Sequence, residues 1–470
     1  RYIMPSILSA NTLSSGYEVG NSLRLDNNAY MQSANTNSTN NPWTFSVWIK
    51  RAKIGAEQTL IMSYTDSNDF GLIRFGSDDT LLIGDYVNGS YVMKYETNRK
   101  FRDVSAWYHI VVSQSAVSGA SPATLLYVNG VQETSFGTSN AYSQNDTQNW
   151  QKDGENFNFM MGQGEHYQQA YVCEAVWIDN TVYAASDFGE FDEDSGIWKP
   201  KDPSGLNFGT NGFYFDFADS GNLGDNEAGN SRADFSENNI AATDQSTDTC
   251  TNNFATMNSL VAGTGATFAE GNLAVGCGTN ATYGYSASTI GVDKGKWYLE
   301  CKVSSSPKAV IGIIFDGDSG NVFNEIRNNR HAGNNDTGWG YKPGNSGAVE
   351  HNGANISYST ATADENDVIG VALDLDNDRL YFSKNGTFLN SGNTQNSTGA
   401  IDISSRSGNV FISIGDSDSS SSTTTTFNFG SSPYAISSGN ADADGHGNFE
   451  HAVPSGYFAL NTKNLAEYGG

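Results

Sequence analysis

Hydrophobic and polar residues alternate along most of this chain, in short runs separated by turn residues. The run WTFSVWIKRA (43–52) places Trp43, Phe45, Val47 and Ile49 on one face. Side chains of a strand point alternately to its two faces, so this run predicts a strand with one face in a core. Similar runs recur at roughly regular spacing, with Asn-Gly hairpin signals and almost no helical periodicity, which predicts a β-sandwich.

A second series of strand-like runs follows after a polar, turn-rich stretch. Its clearest members are GKWYLECKV (295–303), AVIGIIFD (309–316), DVIGVALDLD (367–376), RLYFSKNGTF (379–388) and VFISIGD (410–416). With 470 residues the chain is too long for one ordinary domain. We therefore predict an all-β fold with two antiparallel β-sandwich (jelly-roll) domains.

Changes in composition along the chain suggest where these domains begin and end. The stretch after the first sandwich is rich in acidic, Gly and Pro residues, and we interpret it as a connector that packs locally against that sandwich. The predicted organisation is an arm (1–20), a first sandwich (21–185), a connector (186–250), a second sandwich (251–432) and a C-terminal docking tail (433–470).

Charge and cysteine content narrow the classes of function. The formal net charge is −27, from 52 acidic and 25 basic residues, and such a surface repels nucleic-acid phosphates and anionic lipid. The sequence contains no run of 18 apolar residues, which a membrane-spanning helix would need. The first residues do not have the pattern of a signal peptide. The four cysteines (Cys173, Cys250, Cys277 and Cys301) form no CxxC motif, and we expect buried thiols.

Two groups of motifs resemble known domain families. WTFSVWIK, WYHIVV (107–112) and LLYVNGV (125–131) resemble laminin-G-like, concanavalin A-type sandwiches in order and spacing. GKWYLECKV, IGIIF (311–315), WGYKPGN (339–345), VIGVALDLDNDRLYFSKNG and VFISIG match the signature of a SPRY (B30.2) domain in order. The resemblance implies a laminin-G-like domain followed by a SPRY-like domain.

The whole arrangement also resembles structural proteins of tailed, often marine, bacteriophages. The connector FGEFDEDSGIWKPK, the strand NGFYFDF, the junction TNNFATMN and the phrase VPSGYFALNTKNL carry this resemblance. It implies a virion protein, made in the host cytoplasm and located in the phage particle, with the tail as the expected place. Its partners would be other virion proteins and further copies of itself, and a trimer suits a fibre.

Acidic residues in turns raise the question of calcium. Asp374, Asp376 and Asp378 begin like a calcium-binding loop, but Arg379 and Asn385 stand where an EF-hand needs Gly and Glu. We therefore predict a turn between two core strands there. Two other clusters are candidate calcium sites because they gather carboxylate and amide oxygens in predicted loops, and turn formation is the alternative: Asp66, Asn68 and Asp69, and Asp316 with Asp318.

Glu190, Asp192 and Asp194 approximate the E-x-D-x-E pattern of some concanavalin A-like glycanases. Asp194 is one methylene shorter than the expected Glu, and Ser195-Gly196 follows at once as a turn. We predict no catalytic residues and interpret the segment as an acidic turn, with a glycanase as an alternative.

The predicted ligand site lies in the loops at one edge of the SPRY-like sandwich, as in the family that it resembles. Its candidate residues are Arg327, Arg330, His331, Trp339 and Tyr341. Arginines bind acidic or hydroxyl-rich partners, and Trp and Tyr stack on sugars or fill protein pockets. For Trp339 and Tyr341 the alternative is a position in the core.

The expected function is non-enzymatic. We expect a tail-fibre or other adhesion protein that binds a host-surface glycan or protein through loops of its sandwiches, with weak contacts multiplied by oligomerisation. A structural virion protein that acts by self-assembly, such as a capsid decoration protein or filament subunit, is the first alternative. No nucleic acid, no membrane insertion and no cofactor other than calcium are expected.

Overall fold

A computed structural model of the chain divides into two compact units, one ending at Asn252 and the other beginning at Asn253. The residues that the structure describes are 16–26, 28–35, 42–150, 152–162, 166–278, 285–303, 308–317, 326, 328, 330–344, 346–416 and 422–469. Arg327 and Asp318, two of the candidate site residues, lie outside this set. Both units are built from antiparallel sheets, so the predicted all-β fold is confirmed.

The first unit contains two large sheets and one hairpin. In chain order its strands are β1 (Ser22–Leu25), β2 (Tyr30–Ala34), β3 (Trp43–Arg51), β4 (Gln58–Asp66), β5 (Asp69–Phe75), β6 (Leu81–Val87), β7 (Ser90–Thr97), β8 (Tyr108–Gln114), β9 (Thr124–Val128), β10 (Val131–Glu133), β11 (Phe136–Asn140), β12 (Asn156–Phe159), β13 (Ala170–Asp179), β14 (Gly189–Phe191), β15 (Trp198–Pro200), β16 (Phe213–Phe215), β17 (Ser236–Asn238) and β18 (Gln245–Ser246). Short 3₁₀ turns occupy Ala185–Asp187 and Ala242–Asp244.

Sheet A has the order β10-β9-β8-β3-β13-β1-β18, with β16 also paired to β13, and sheet B has the order β11-β7-β6-β5-β4-β12-β2-β17. The alternating face of β3 that carries Trp43, Phe45, Val47 and Ile49 lies in the core between them. The predicted hairpin joins β9 to β10, where Asn129 and Gly130 have φ of 48° and 75°. Two consecutive positive φ angles suit Asn-Gly and match the twist of paired strands.

The outer face of sheet A is buried as well. Residues 185–250, which we call the first covering segment, supply β16 and β18 to sheet A and β17 to sheet B. Phe188, Trp198 and Tyr214 of this segment pack with Trp48 and Trp107 of the sheet and its flanking loop. The stretch that we interpret from sequence as a connector packing locally against the first sandwich contributes strands to both of its sheets.

The second unit is also a sandwich of two sheets. Its strands are β19 (Met257–Ala262), β20 (Ala266–Ala269), β21 (Ala274–Cys277), β22 (Ser286–Val292), β23 (Lys296–Val303), β24 (Ala309–Gly317), β25 (Gly338–Tyr341), β26 (Val349–His351), β27 (Ala354–Ile356), β28 (Val368–Asp374), β29 (Arg379–Lys384), β30 (Thr387–Phe388), β31 (Ile401–Asp402), β32 (Gly408–Asp416), β33 (Thr423–Asn428) and β34 (Phe458–Ala459). A 3₁₀ turn spans Leu389–Ser391, and one helix, α1, spans Thr462–Tyr468.

Sheet C has the order β19-β22-β32-β24-β25-β26-β27. Sheet D has the order β20-β21-β33-β23-β28-β29-β30, with β31 also on β29 and β34 parallel to β23. The hairpin predicted at Asp374–Asp378 is confirmed, because β28 and β29 pair directly on either side of it. Its carboxylates serve the turn: Asp374 accepts hydrogen bonds from the backbone and side-chain amides of Asn377, and Asp376 accepts one from the backbone N–H of Gly295.

Residues 433–460, which we call the second covering segment, pack on the outer face of sheet D. Phe449 and Tyr457 join Tyr298 and Tyr381 in a buried aromatic cluster.

The four cysteines are buried free thiols, as expected. Among the described residues, no helix has the length and apolar character needed to cross a bilayer.

Candidate functional site

A pocket of 410 Å³ opens on the second unit, between the β25–β27 edge of sheet C and the residues around β31 of sheet D. Cavities of this size accommodate small ligands when a few polar groups converge on an apolar wall. The residues that line it are Trp339, His351, Ile356, Ser357, Tyr358, Asn390, Ala400, Ile401, Asp402 and Ser405.

Two stacked rings form the inner wall of this pocket. The ring of His351 lies parallel to the indole of Trp339, with centroids 4.2 Å apart and an interplanar angle of 3°. The Nδ1 of His351 lies 2.8 Å from the carbonyl oxygen of Gly338, which can only accept, so Nδ1 carries the proton. In the neutral form of the ring, Nε2 is then a hydrogen-bond acceptor. Trp339 is only 3% exposed, so the His351 ring is the accessible layer of the stack.

The opposite side of the pocket is polar. Asp402 is exposed, and its Oδ1 accepts hydrogen bonds from the hydroxyl and the backbone N–H of Ser404, at 2.6 and 2.9 Å. These bonds, together with Arg379 at 3.1 Å from Oδ2, hold the pKa of Asp402 below its usual value. A carboxylate, an amide (Asn390) and hydroxyls therefore face a flat aromatic wall, an arrangement suited to a ligand rich in hydroxyl groups.

Local sequence explains the shape of the rim. Asn390 adopts a φ of 54° in the turn Leu389–Ser391, a left-handed conformation that Asn tolerates better than most residues. The hydroxyl of Tyr358 accepts a hydrogen bond from the backbone N–H of Phe382 at 3.1 Å, which holds the chain after β27 against sheet D. Both walls therefore rest on strands of the sandwich.

The predicted loop residues do not all come together. Trp339 lines the pocket, but Tyr341 is fully buried, with its hydroxyl donating to the carbonyl oxygen of Ala361 at 2.6 Å. Arg330 is exposed and does not line the pocket. Tyr341 therefore takes the alternative role of a core residue.

His331 belongs to a separate charged cluster. Its Nε2 lies 3.5 Å from a carboxylate oxygen of Glu350, to which the Nζ of Lys342 also donates at 2.6 Å. The neighbouring His331 and Lys342 lower the pKa of Glu350 to about 2. The cluster contributes no residue to the pocket lining.

Sequence reasoning did not single out His351, Asn390 or Asp402. His351 lies in the stretch that follows WGYKPGN, the third of the SPRY-like motifs. The antiparallel pairing of β25 with β26 is the signal that could have found it, because that pairing places Trp339 and His351 side by side. Nothing local to β31 indicates that Asp402 faces them.

The described residues of the candidate calcium clusters lie in hydrogen-bonded turns or within a strand. Asp66 accepts a hydrogen bond from the backbone N–H of Asn68 at 2.7 Å, and Asp69 accepts one from that of Asn88 at 3.1 Å. Asp316 lies within β24, opposite Asn409. In the part of the chain that the structure describes, no three His, Cys, Asp or Glu side chains converge as a metal site requires.

The glycanase-like acidic residues lie on and beside the hairpin of β14 and β15. Glu190 contacts the Nζ atoms of Lys199 and Lys201 at 3.5 and 3.3 Å. Asp192 accepts hydrogen bonds from the backbone and hydroxyl of Ser195, and these bonds lower its pKa to about 2. Acid catalysis of glycoside cleavage needs a carboxyl group with a raised pKa, so this arrangement fits a turn.

Comparison with known proteins agrees with this architecture. Residues 25–174 match the laminin-G family model described as the concanavalin A-like lectin/glucanases superfamily, and residues 296–430 match the SPRY domain model. The chain therefore contains a concanavalin A-like domain followed by a SPRY domain, which confirms the predicted fold class. Domains of these two kinds are typically non-catalytic binding domains.

Solved structures with similar domains cover about a third of the chain. The SPRY domain of human HERC1 is 15% identical and covers 36% of this chain and 96% of that chain, with a TM-score of 0.28. A native heptameric SAP-like pentraxin from Limulus polyphemus is 14% identical and covers 36% of this chain and 80% of that chain, also with a TM-score of 0.28. No curated protein matches the chain.

Proposed function

We propose that this chain is a non-catalytic binding protein of a tailed-phage particle, and that its SPRY unit binds a host-surface glycan in the pocket beside His351. The observation that carries the proposal is the pocket itself, where the stacked rings of Trp339 and His351 face Asp402 and Asn390. Sugar rings combine an apolar face with a rim of hydroxyl groups, and this pocket offers a partner for each.

The sequence resemblance supports the phage setting. The junction and tail motifs resemble those of tailed-phage structural proteins, and the net charge of −27 disfavours nucleic acid as a partner. A virion carries many copies of its structural proteins, so a shallow pocket with weak affinity is enough for attachment when many copies bind together.

The direct test is the binding of the purified full chain to a panel of bacterial surface polysaccharides, measured by calorimetry or biolayer interferometry. His351→Ala removes the accessible ring, and Asp402→Asn removes the carboxylate. We expect either change to weaken binding by about tenfold or more, because each removes a direct ligand contact. Glu365→Gln, an exposed acid-to-amide change in the same unit, is the matched control and should leave binding unchanged.

Three outcomes count against the proposal. Binding that neither pocket variant weakens would place the site elsewhere. Release of reducing sugars from a bound polysaccharide, abolished by Glu190→Gln, would favour the glycanase alternative. Ordered self-assembly without binding to any polysaccharide would favour a purely structural virion protein.

A further inference from the structure

One lysine–carboxylate pair in the first unit is buried to an unusual degree. The Nζ of Lys50 donates a hydrogen bond to the Oδ2 of Asp248 at 2.5 Å, and each side chain is 1% exposed. Lys50 projects from β3 on the outer face of sheet A, and Asp248 lies near the end of the first covering segment. Among the lysine–carboxylate pairs of the described residues, this is the one with both side chains almost fully buried.

The surroundings of the pair are aromatic and apolar. The Nζ of Lys50 lies 5.1 Å from the ring centroid of Tyr171, and Trp107, Cys173 and Cys250 belong to the same buried cluster. Two full charges in such a place are costly, because their attraction must offset the loss of hydration of both ions. A reaction that removes both charges removes that cost.

Hydrogen bonds hold the carboxyl group in a defined orientation. The indole Nε1 of Trp107 donates to Oδ1 of Asp248 at 3.3 Å. The backbone N–H of Asp248 donates to the hydroxyl oxygen of Ser246 at 3.1 Å, and its carbonyl oxygen accepts from the hydroxyl of Ser22 at 2.6 Å. The two carboxylate oxygens thus have different partners, with Trp107 at Oδ1 and the amine at Oδ2.

We propose that Lys50 and Asp248 condense in the folded chain to form an intramolecular amide bond between Nζ and Cγ. This modification is independent of the proposed function, because it requires only the folded first unit.

The geometry gives each atom a role. A proton passes from Nζ to Oδ2, which leaves a neutral amine beside a neutral carboxylic acid, and burial favours this form by lowering the pKa of Lys50. Nζ attacks Cγ, and the oxygen that develops negative charge is Oδ1, where the N–H of Trp107 stabilises it. Oδ2 leaves with two hydrogens as one water molecule. No oxidant or reductant is required.

A second lysine–carboxylate pair, Lys342 with Glu350, lacks the features that favour amide formation between Lys50 and Asp248. Lys342 donates to Glu350 at 2.6 Å, but His331 also contacts that carboxylate and both side chains retain 11% exposure. The pKa of Glu350 is about 2, so this carboxylate stays ionised, and an ionised carboxylate is a poor electrophile. We expect no amide bond there, so this pair is an internal control.

The amide bond would close a covalent ring from residue 50 to residue 248. It would attach the first covering segment permanently to β3 and carry a pulling force from β3 directly to the end of the unit. The strands between those two residues would then be shielded from that force.

Intact-mass spectrometry of the purified full chain tests the proposal. We expect a mass lower than that of the sequence by one water molecule, and a protease digest should contain a branched peptide joining the segments around Lys50 and Asp248. Lys50→Arg, which keeps the positive charge but lacks a primary amine, should restore the full mass. Lys342→Arg, the matched control, should leave the mass deficit unchanged.

A rate measurement examines the role of Trp107. In freshly refolded Trp107→Phe the deficit should appear roughly a hundredfold more slowly than in the unchanged chain.

The proposal is overturned if the folded, unchanged chain keeps the full sequence mass after prolonged incubation. It is equally overturned if the dehydration maps to the Asp248 peptide alone, because a cyclic imide of Asp248 with its own backbone also releases one water. If Lys50→Arg does not fold, the branched peptide of the unchanged chain still decides the question.

Discussion

Both units bury the outer face of one sheet beneath a covering segment, but the two segments are anchored by different chemistry. In the first unit a cation of the sheet, Lys50, meets a carboxylate of the covering segment, Asp248. In the second unit a carboxylate of the sheet, Glu300, accepts backbone N–H groups of the covering segment, from Glu450 and His451, both at 2.8 Å.

This difference determines which residues of each covering segment can change. A backbone N–H is present at almost every position, so the side chains of Glu450 and His451 are not required for the contact with Glu300. The anchor of the first segment depends on one side chain, Asp248, at one position. We therefore expect the first contact to be sensitive to substitution of Asp248, and the second contact to be sensitive to substitution of Glu300 but not of Glu450 or His451.

The largest effect is expected for Asp248→Ala. This change leaves Lys50 in an apolar site without its partner and should lower the free energy of unfolding by about 3–5 kcal/mol. Urea denaturation followed by fluorescence measures it. Glu96→Ala, which breaks the more exposed Lys94–Glu96 pair, is the control and should cost less than about 1 kcal/mol. Equal effects of the two changes would contradict the anchoring role.

Glu300→Ala should have the next largest effect. The change leaves two backbone N–H groups and the hydroxyl of Tyr298 without their acceptor, which should cost roughly 2–4 kcal/mol. Hydrogen exchange of residues 449–451, read by mass spectrometry, should accelerate. Glu450→Ala keeps the backbone contact and should leave that exchange nearly unchanged. Faster exchange in this variant would contradict the conclusion that the contact depends on the backbone alone.

A third prediction concerns pH. Glu174 of β13 is buried, and burial raises its pKa to about 8, although hydrogen bonds from Tyr214 and Tyr17 oppose the rise. The folded chain therefore holds a proton that the unfolded chain loses near pH 4.5, so this residue makes stability fall as pH rises from about 4.5 to about 8. Glu174→Gln should remove that part of the decline.

The measurement is the difference in melting temperature between Glu174→Gln and the unchanged chain across this pH range. The melting temperature of the variant should rise relative to that of the unchanged chain as pH rises. Asp85, whose pKa burial raises to about 7, titrates in the same range and is present in both proteins, so it cancels in the comparison. A difference that does not vary with pH would contradict the buried-acid interpretation.

The smallest effect separates two tyrosines of the covering segments. The hydroxyl of Tyr214 donates to Glu174 at 3.0 Å, whereas the buried hydroxyl of Tyr457 has no hydrogen-bond partner in the described part of the chain. Tyr214→Phe should cost about 1–2 kcal/mol, and Tyr457→Phe should be neutral or slightly stabilising. Thermal melts of both variants check this, and a larger loss for Tyr457→Phe would be the contrary result.

Features of the fold that depend on short stretches of sequence could be predicted. The strands of both units could be predicted because alternation over a few residues reports which face of a strand is buried, as for Trp43 and Phe45. The hairpin at Asn129-Gly130 could be predicted because its two residues favour the required backbone conformation. For Trp339, sequence allowed both a core position and a binding role, and the structure shows a buried ring that also lines the pocket.

By itself, the sequence determined the all-β class, the two sandwiches and many of their turns, since these depend on neighbours a few residues apart. Only the tertiary structure decided that both covering segments add strands to the sheets of their units, that His351 and Asp402 share a pocket, and that Lys50 meets Asp248. That last contact joins residues 198 positions apart, and no local pattern reports it. Burial and charge pairing depend on the whole fold, which brings such distant side chains together.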